Sequence, residues 1–456
     1  MATVGTGDRN SARLDDGRVQ FADRHNRIVD GFEVQDSGWL GDRHSTDAPA
    51  RGGSSVAGGD TGIRLVTGIR AMLDLRRGYN SPTVATALAW RSRLHALKNL
   101  DFPLLLSVLT LVGAGLLILH SATYHWAPGL MRRQLMWLAL GTGAMLFFML
   151  VNPLVWMRYS RWLYGLNVLM LLYVDLFGAE RKGAQRWIEL PGGYQFQPSE
   201  LAKLLLILTL ASLLVRMGAQ LRTPKGFLLS LLHTAIPAFL VFKQPDLGTS
   251  IVLGVLWFAM VFLAEAPGRW LALTVVAGAL GFGAMWHLDI LRDYQKARLV
   301  SFLNPEADPQ QSGYHILQAR IAIGSGQLTG KGYLQGTQKT LRYIPEQHTD
   351  FIFVVIGEEL GFIGATGFLA LYGLFLYRVW RVMVETHHEF YRLVAGGVLT
   401  LFLFHLLTNV GMTMGLFPVV GIPLPFVSLG GSMLLASMMA VGLLLGVRLH
   451  EKTLQL

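Results

Sequence analysis

From Phe102 to the C terminus, long apolar runs alternate with short polar or basic connections, a rhythm that the first 98 residues lack. Each run approaches the roughly 20 residues that a helix needs to cross a bilayer. The pattern predicts ten spans, near 102–122, 133–152, 161–178, 200–216, 227–243, 248–265, 269–289, 350–378, 391–414 and 430–449. The expected fold class is an all-α integral membrane bundle. One connection, 290–349 between the seventh and eighth spans, is far longer than the others.

The first 98 residues are rich in Gly, Ser, Asp and Arg and hold too few large apolar side chains to offset the entropy of ordering a chain. A mostly disordered cytoplasmic tail is expected, without an apolar core of signal-peptide type at its start. Within it, Ile63 to Arg77 spaces apolar residues at near-helical intervals with basic residues between them. That stretch suits either an anionic membrane surface or a transient helix. The domain reading is a tail at 1–98, a ten-span domain at 99–449 and a short cytoplasmic tail at 450–456.

Composition closes off other classes. Hydrophobic residues make up 52% of the chain and charged residues 15%, a balance foreign to a soluble domain of this length. The net charge of +10 would suit a nucleic-acid binder, but most Lys and Arg sit in short loops between apolar runs, where they orient a membrane protein. No nucleic-acid partner is expected. Cysteine is absent, which excludes disulfides, thiol nucleophiles and thiolate metal sites.

Basic residues also give the topology. Arg91, Arg93 and Lys98 precede the first span, Arg158 and Arg161 follow the second, and Arg216, Arg222 and Lys225 follow the fourth. Arg378, Arg381 and Arg392 follow the eighth, and Arg448 and Lys452 follow the tenth. With an even number of spans these share one side, which the positive-inside rule makes cytoplasmic together with both termini. Arg132, Arg133, Arg181, Lys182 and Arg186 then fall outside, where a basic cluster points to an anionic ligand.

The same parity gathers four polar segments on the outer face: 182–200, 244–249, 291–350 and 409–432. Such a gathering defines a candidate site. Asp350 is its sharpest element, a carboxylate at the water–lipid boundary just before an apolar run, costly unless used. Its plain alternative is a first-turn acid favoured by the helix dipole. Glu200 and Lys203, three apart at the start of the fourth span, share a face and can pair; Glu200 is otherwise a first-turn acid behind a Ser199 cap. Asp246 reads first as a cap or turn residue and second as a ligand, while Gln244 has no structural excuse and is the better ligand candidate of that segment.

The run Gly324-Ser-Gly-Gln-Leu-Thr-Gly-Lys-Gly332 lacks the spacing of a phosphate-binding loop, so nucleotide binding is rejected and a flexible outer loop carrying Lys331, Lys339 and Arg342 is expected. Pro418 to Pro425 cannot be regular helix, and irregular backbone at membrane depth must line a cavity or be shielded by protein. It leads through Ser428 to Ser432 and the last span, whose first amides could face an anion.

Lys182-Gly-Ala-Gln-Arg-Trp187, Phe196-Gln-Pro-Ser-Glu-Leu-Ala-Lys203, Gln244-Pro-Asp-Leu-Gly-Thr-Ser250, Pro345-Glu-Gln-His-Thr-Asp-Phe-Ile-Phe353, Gly357-Glu-Glu-Leu-Gly361 and Pro418-Val-Val-Gly-Ile-Pro-Leu-Pro-Phe-Val-Ser428 occur in this order. Together they resemble the SEDS family of cell-shape, division and sporulation proteins, and its cell-elongation members more than its division members. The resemblance runs from about residue 100 to the C terminus and leaves the long N-terminal tail outside. It implies a ten-span glycosyltransferase in the bacterial cytoplasmic membrane, polymerising lipid II on the outer face, with undecaprenyl-diphosphate-linked glycan as the growing chain.

By that resemblance Asp350 is the catalytic acid residue. It would act as general base on the acceptor 4-hydroxyl in an inverting displacement that needs no covalent intermediate. Glu200, Lys203 and Gln244 would shape the central cavity, and Glu346 and His348 would orient the loop. Arg186, Lys331, Arg342 or a divalent ion, Mg2+ or Mn2+, would stabilise the leaving diphosphate. No nucleotide or organic cofactor is implied. The implied partners are a class B penicillin-binding transpeptidase, which would supply the crosslinking chemistry absent here, and other elongation-complex proteins. A lipid II transporter and a pure scaffold are the competing function classes.

Overall fold

The computed structural model describes residues 100–451, apart from 126, 182–183, 292, 305–311, 342–343 and 345. The expected tail at 1–98, its amphipathic stretch, Lys182 and Arg342 therefore lie outside the described residues. A helix occupies each of the ten predicted stretches. In chain order these are α1 (Phe102–Thr123), α2 (Gly129–Leu150), α4 (Ser160–Phe177) after the short α3 (Pro153–Arg158), α5 (Pro198–Met217), α6 (Pro224–Lys243), α7 (Leu247–Leu263) and α8 (Gly268–His287). After the long connection come α12 (Ile352–Glu385), α13 (Glu389–Thr413) and α14 (Gly431–Glu451). Eight of these helices are long and apolar enough to cross a membrane, and α7 is a shorter apolar helix.

Local chemistry sets the helix starts. Pro103, Pro198 and Pro224 stand in the first turns, where a missing N–H costs nothing. Asp101 caps α1 by accepting from Leu104 N at 3.0 Å, and Thr223 caps α6 by accepting from Gly226 N at 3.1 Å. Inside α6, Pro237 has no N–H for the His233 carbonyl one turn earlier. The Tyr164 hydroxyl of α4 donates to that carbonyl instead, at 3.0 Å, while the His233 ring contacts Thr209 Oγ1 of α5 at 3.1 Å. A backbone group freed inside the membrane is thus paired by protein, as it must be.

The core is built on α5, α13 and α14, whose side chains are mostly buried, whereas α8 buries only Leu271. Glycine lets α2 and α14 approach closely: a Cβ on Gly442 would stand 2.3 Å from the Met145 carbonyl oxygen. At the helix ends opposite the long connection, Arg378 of α12 donates to both carboxylate oxygens of Asp101, at 2.7 and 2.9 Å. Arg448 of α14 pairs with Asp101 at 3.5 Å and with Glu385, tying three helices together.

Two features depart from the sequence expectation. Residues 179–196 form a three-stranded antiparallel sheet, β1 (Ala179–Arg181), β2 (Ala184–Leu190) and β3 (Tyr194–Phe196), with Ile188 opposite Phe196. Gly192 and Gly193, both at positive φ, turn β2 into β3. The second departure is the long connection, which holds α9 (Asp293–Leu303), α10 (Ser312–Ser325) and α11 (Thr337–Thr340). The glycine-rich run between α10 and α11 is not the flexible outer loop expected. It is hydrogen-bonded along its length to a break in α12 at Gly361, where φ is 64° and ψ −162°.

Candidate active site

The four polar segments meet around one cavity of about 670 Å³. The sheet and the start of α5 supply Arg186, Trp187, Gln195, Gln197, Glu200 and Lys203; the start of α7 supplies Asp246, Thr249 and Val252. The end of the long connection supplies Glu346, His348, Thr349 and Asp350, and the segment before α14 supplies Gly421 to Pro423 and Leu429 to Met433. His405, from the middle of α13, completes the lining.

Asp350 sits on a turn fastened from several sides. Thr349 N and Phe351 N donate to the Glu346 carbonyl at 3.2 and 3.1 Å, and Thr349 Oγ1 donates to Glu346 Oε2 at 3.1 Å. Ser428 Oγ donates to the Thr349 carbonyl at 2.6 Å, and Leu429 N to the His348 carbonyl at 2.9 Å. Asn409, fully buried in α13, donates through Nδ2 to both the Asp350 and Ile422 carbonyls at 2.9 Å. A Cβ placed on Gly421 would stand 3.5 Å from Asp350 Oδ2, so the carboxylate lies directly over that glycine. Asn409→Leu leaves both carbonyls without this donor, a loss of about 1–3 kcal/mol for each group that stays buried. The expected outcome is a lower melting temperature and at least a tenfold lower turnover, measured on the purified protein.

Deeper in the cavity, Lys203 Nζ donates to Glu200 Oε1 at 2.8 Å and approaches His405 Nε2 at 3.3 Å. His405 Nδ1 lies 3.0 Å from the Pro423 carbonyl, an acceptor that fixes Nδ1 as the N–H and leaves Nε2 to accept from Lys203. Glu200 and Lys203 are 6% and 2% exposed, so the pair is buried at membrane depth, where each charge needs the other. Ser199 does not cap α5; its hydroxyl accepts from Gln197 Nε2 at 3.0 Å.

Asp246 combines its two readings. It caps α7 by accepting from Thr249 N at 3.1 Å, and its other oxygen accepts from Thr249 Oγ1 at 3.0 Å and Gln197 Nε2 at 3.1 Å. Arg186 stands 3.7 Å from that oxygen and lines the cavity, with its buried Nε unpartnered. Ser432 accepts from Gln197 N at 2.8 Å and so joins α14 to the start of α5.

Three sequence candidates are corrected. Gln244 is buried at the C-terminal end of α6, donates to the Leu171 carbonyl at 2.8 Å and does not line the cavity. Ser428 points inward to hold Thr349 and Leu424 rather than a ligand. Lys331 spends its ammonium on Glu358 at 2.8 Å, away from the cavity. His405, which lines the cavity, and Asn409, which holds the Asp350 turn, were not singled out from the sequence; their spacing of one helical turn was the available signal.

The profile of the FtsW/RodA/SpoVE cell cycle proteins matches residues 102–453. The chain belongs to this family. The peptidoglycan glycosyltransferase MrdB of Escherichia coli is 39% identical over 78% of this chain and 95% of its own length. RodA of Treponema pallidum, also named a peptidoglycan glycosyltransferase, is 31% identical over 79% of this chain and all of its own. Among solved structures, a chain of a peptidoglycan synthase complex matches with a TM-score of 0.67 at 33% identity, covering 76% of this chain and 97% of that one. The rod shape determining protein RodA of Thermus thermophilus matches with a TM-score of 0.58 at 30% identity, covering 77% and 97%. As a family member, this chain is a bacterial membrane protein.

Proposed function

We propose that this protein is a RodA-like peptidoglycan glycosyltransferase that polymerises lipid II into glycan strands during cell elongation, with the cavity under Asp350 as its active site. The single observation that carries the reading is the meeting of Asp350, Arg186 and the Glu200–Lys203 pair in one cavity at the loop end of the bundle. Asp350 takes the proton of the acceptor 4-hydroxyl as that oxygen attacks the anomeric carbon from the face opposite the diphosphate. The C–O bond to the diphosphate breaks as the glycosidic bond forms, which inverts the α-linked donor to a β linkage. Arg186, which lines the cavity with its side chain partly exposed, receives the leaving diphosphate.

Among the described residues no three His, Asp or Glu side chains converge as a metal site. Mg2+ or Mn2+ would be held at the cavity by carboxylates such as Asp350 and Glu346 and would supply positive charge to the leaving diphosphate. The basic loops support a reading with the cavity on the outer face of the cytoplasmic membrane and both termini in the cytoplasm. A class B penicillin-binding transpeptidase is the proposed partner, docked against α12 and α13. A related chain was solved in a complex that coordinates polymerization and crosslinking, which supports this partnership.

The test is polymerisation of lipid II by the purified protein, with and without the transpeptidase and with Mg2+ or Mn2+. Glycan ladders are expected. Movement of lipid II between leaflets without ladders would favour a transporter, and no product with the partner present would favour a scaffold.

A further inference from the structure

The broken helix α12 leaves backbone groups at Gly361 that need partners inside the bundle. The glycine-rich run supplies them. Lys331 N and Gly332 N donate to the Glu358 and Glu359 carbonyls, both at 3.0 Å, closing the end of the half-helix 352–360. The Gln327 and Leu328 carbonyls accept from Phe362 N at 2.8 Å and Ile363 N at 3.0 Å, opening the next half. The run is thus a splice laid into the helix. A Cβ on Gly326 would fall 2.0 Å from the Gly357 oxygen, one on Gly330 2.1 Å from the Glu359 oxygen, and one on Gly361 2.3 Å from Gly330 N. Only glycine permits so close an approach of backbones.

Side chains lock the splice. Glu358 is 1% exposed, and its Oε1 accepts from Lys331 Nζ at 2.8 Å, Thr337 N at 2.8 Å and Gln338 N at 2.9 Å. It thereby caps α11, and the segment from α11 to the half-helix becomes a closed loop pinned at both ends by one carboxylate. Asp350 lies on that loop. Next door, Ser121 of α1 donates to Glu359, at 2.6 Å to the nearer oxygen. The Tyr333 hydroxyl donates to the Leu117 carbonyl at 3.1 Å. Burial, then the Glu359 charge, raises the Tyr333 hydroxyl above the ordinary phenol range, so it keeps its proton.

We infer that Lys331, Glu358 and the glycine splice are positioning residues for Asp350, fixing the half-helix and turn that hold its carboxylate at the cavity rim. The inference rests on the reading of Asp350 as the base. It makes Lys331 a strut rather than a diphosphate ligand, and the two roles separate kinetically. A displacement of about 1 Å at a reacting group lowers turnover by up to about a hundredfold without weakening substrate binding.

The experiment measures lipid II polymerisation by the full-length protein carrying Lys331→Met, Lys331→Arg, Glu358→Gln or Asp350→Asn. Lys331→Met and Glu358→Gln are expected to lower kcat about tenfold or more with KM within about twofold, and Lys331→Arg to restore most of the loss. A raised KM with unchanged kcat, or full activity in both, overturns the inference. Because the chain has no cysteine, His348→Cys gives a single thiol beside Asp350 for a membrane-impermeant methanethiosulfonate. Its labelling rate should change at least fivefold when Lys331→Met is added, and an unchanged rate also overturns the inference. If Asp350→Asn is fully active, the base assignment fails, while the labelling arm still reads whether the splice positions the turn.

Discussion

Asp350→Asn is expected to lower lipid II polymerisation by about 10²–10⁴-fold, the usual contribution of a positioned general base and about 3–5 kcal/mol of barrier. The substitution is close to isosteric. The fastenings of the turn by Asn409 and Ser428 reach main-chain atoms of Asp350 and Thr349, which the substitution keeps. The melting temperature should therefore stay near that of the parent protein. Loss of ladders with an unchanged melting curve assigns the loss to proton transfer, whereas parallel losses of both would make Asp350 a structural acid.

Lys203→Met carries the second large effect. It strips Glu200 of its 2.8 Å partner inside the membrane-spanning region and removes the donor to His405. Breaking one side of a buried ion pair costs about 3–5 kcal/mol, because the remaining charge keeps its desolvation penalty. The expected result is a marked drop in melting temperature together with loss of polymerisation. The double variant Glu200→Gln with Lys203→Met separates the two losses: removing both charges should recover much of the stability, since no bare charge remains, and none of the activity. Recovery of activity in the double variant would show that the pair only holds the helices together.

The spans were legible because the bilayer imposes a length that few other forces imitate. The four segments that line the cavity were legible from parity alone, since alternate connections share a face. That Asp350, Glu200 and Lys203 belong to the cavity was legible from charges set at or inside an apolar boundary, and that Arg186 does from a base on the wrong side for the positive-inside rule. What stayed hidden depends on partners far away in sequence. Gln244 and Ser428 are polar side chains whose acceptors, the Leu171 and Thr349 carbonyls, belong to other elements. Lys331 finds Glu358 only after the long connection folds back on α12.

The sheet hid in a stretch too polar and too short for its alternation to stand out. The splice hid because a glycine-rich run is read as freedom, although here it permits contact. Its signal was the pairing of Gly326 and Gly330 with Gly357 and Gly361, two sets of glycines at matched spacing. His405 was overlooked because a lone histidine in an apolar run is usually core.

The most direct measurement asks whether the substrate occupies this cavity. Thr249, which lines it on the α7 side, is replaced by cysteine in the otherwise cysteine-free chain, and the rate of alkylation by a water-soluble thiol reagent is followed with increasing lipid II. The account predicts that lipid II slows alkylation in a saturable way and that the alkylated protein makes no glycan. Alkylation at an unchanged rate under saturating lipid II, or full polymerisation by the alkylated protein, would contradict it.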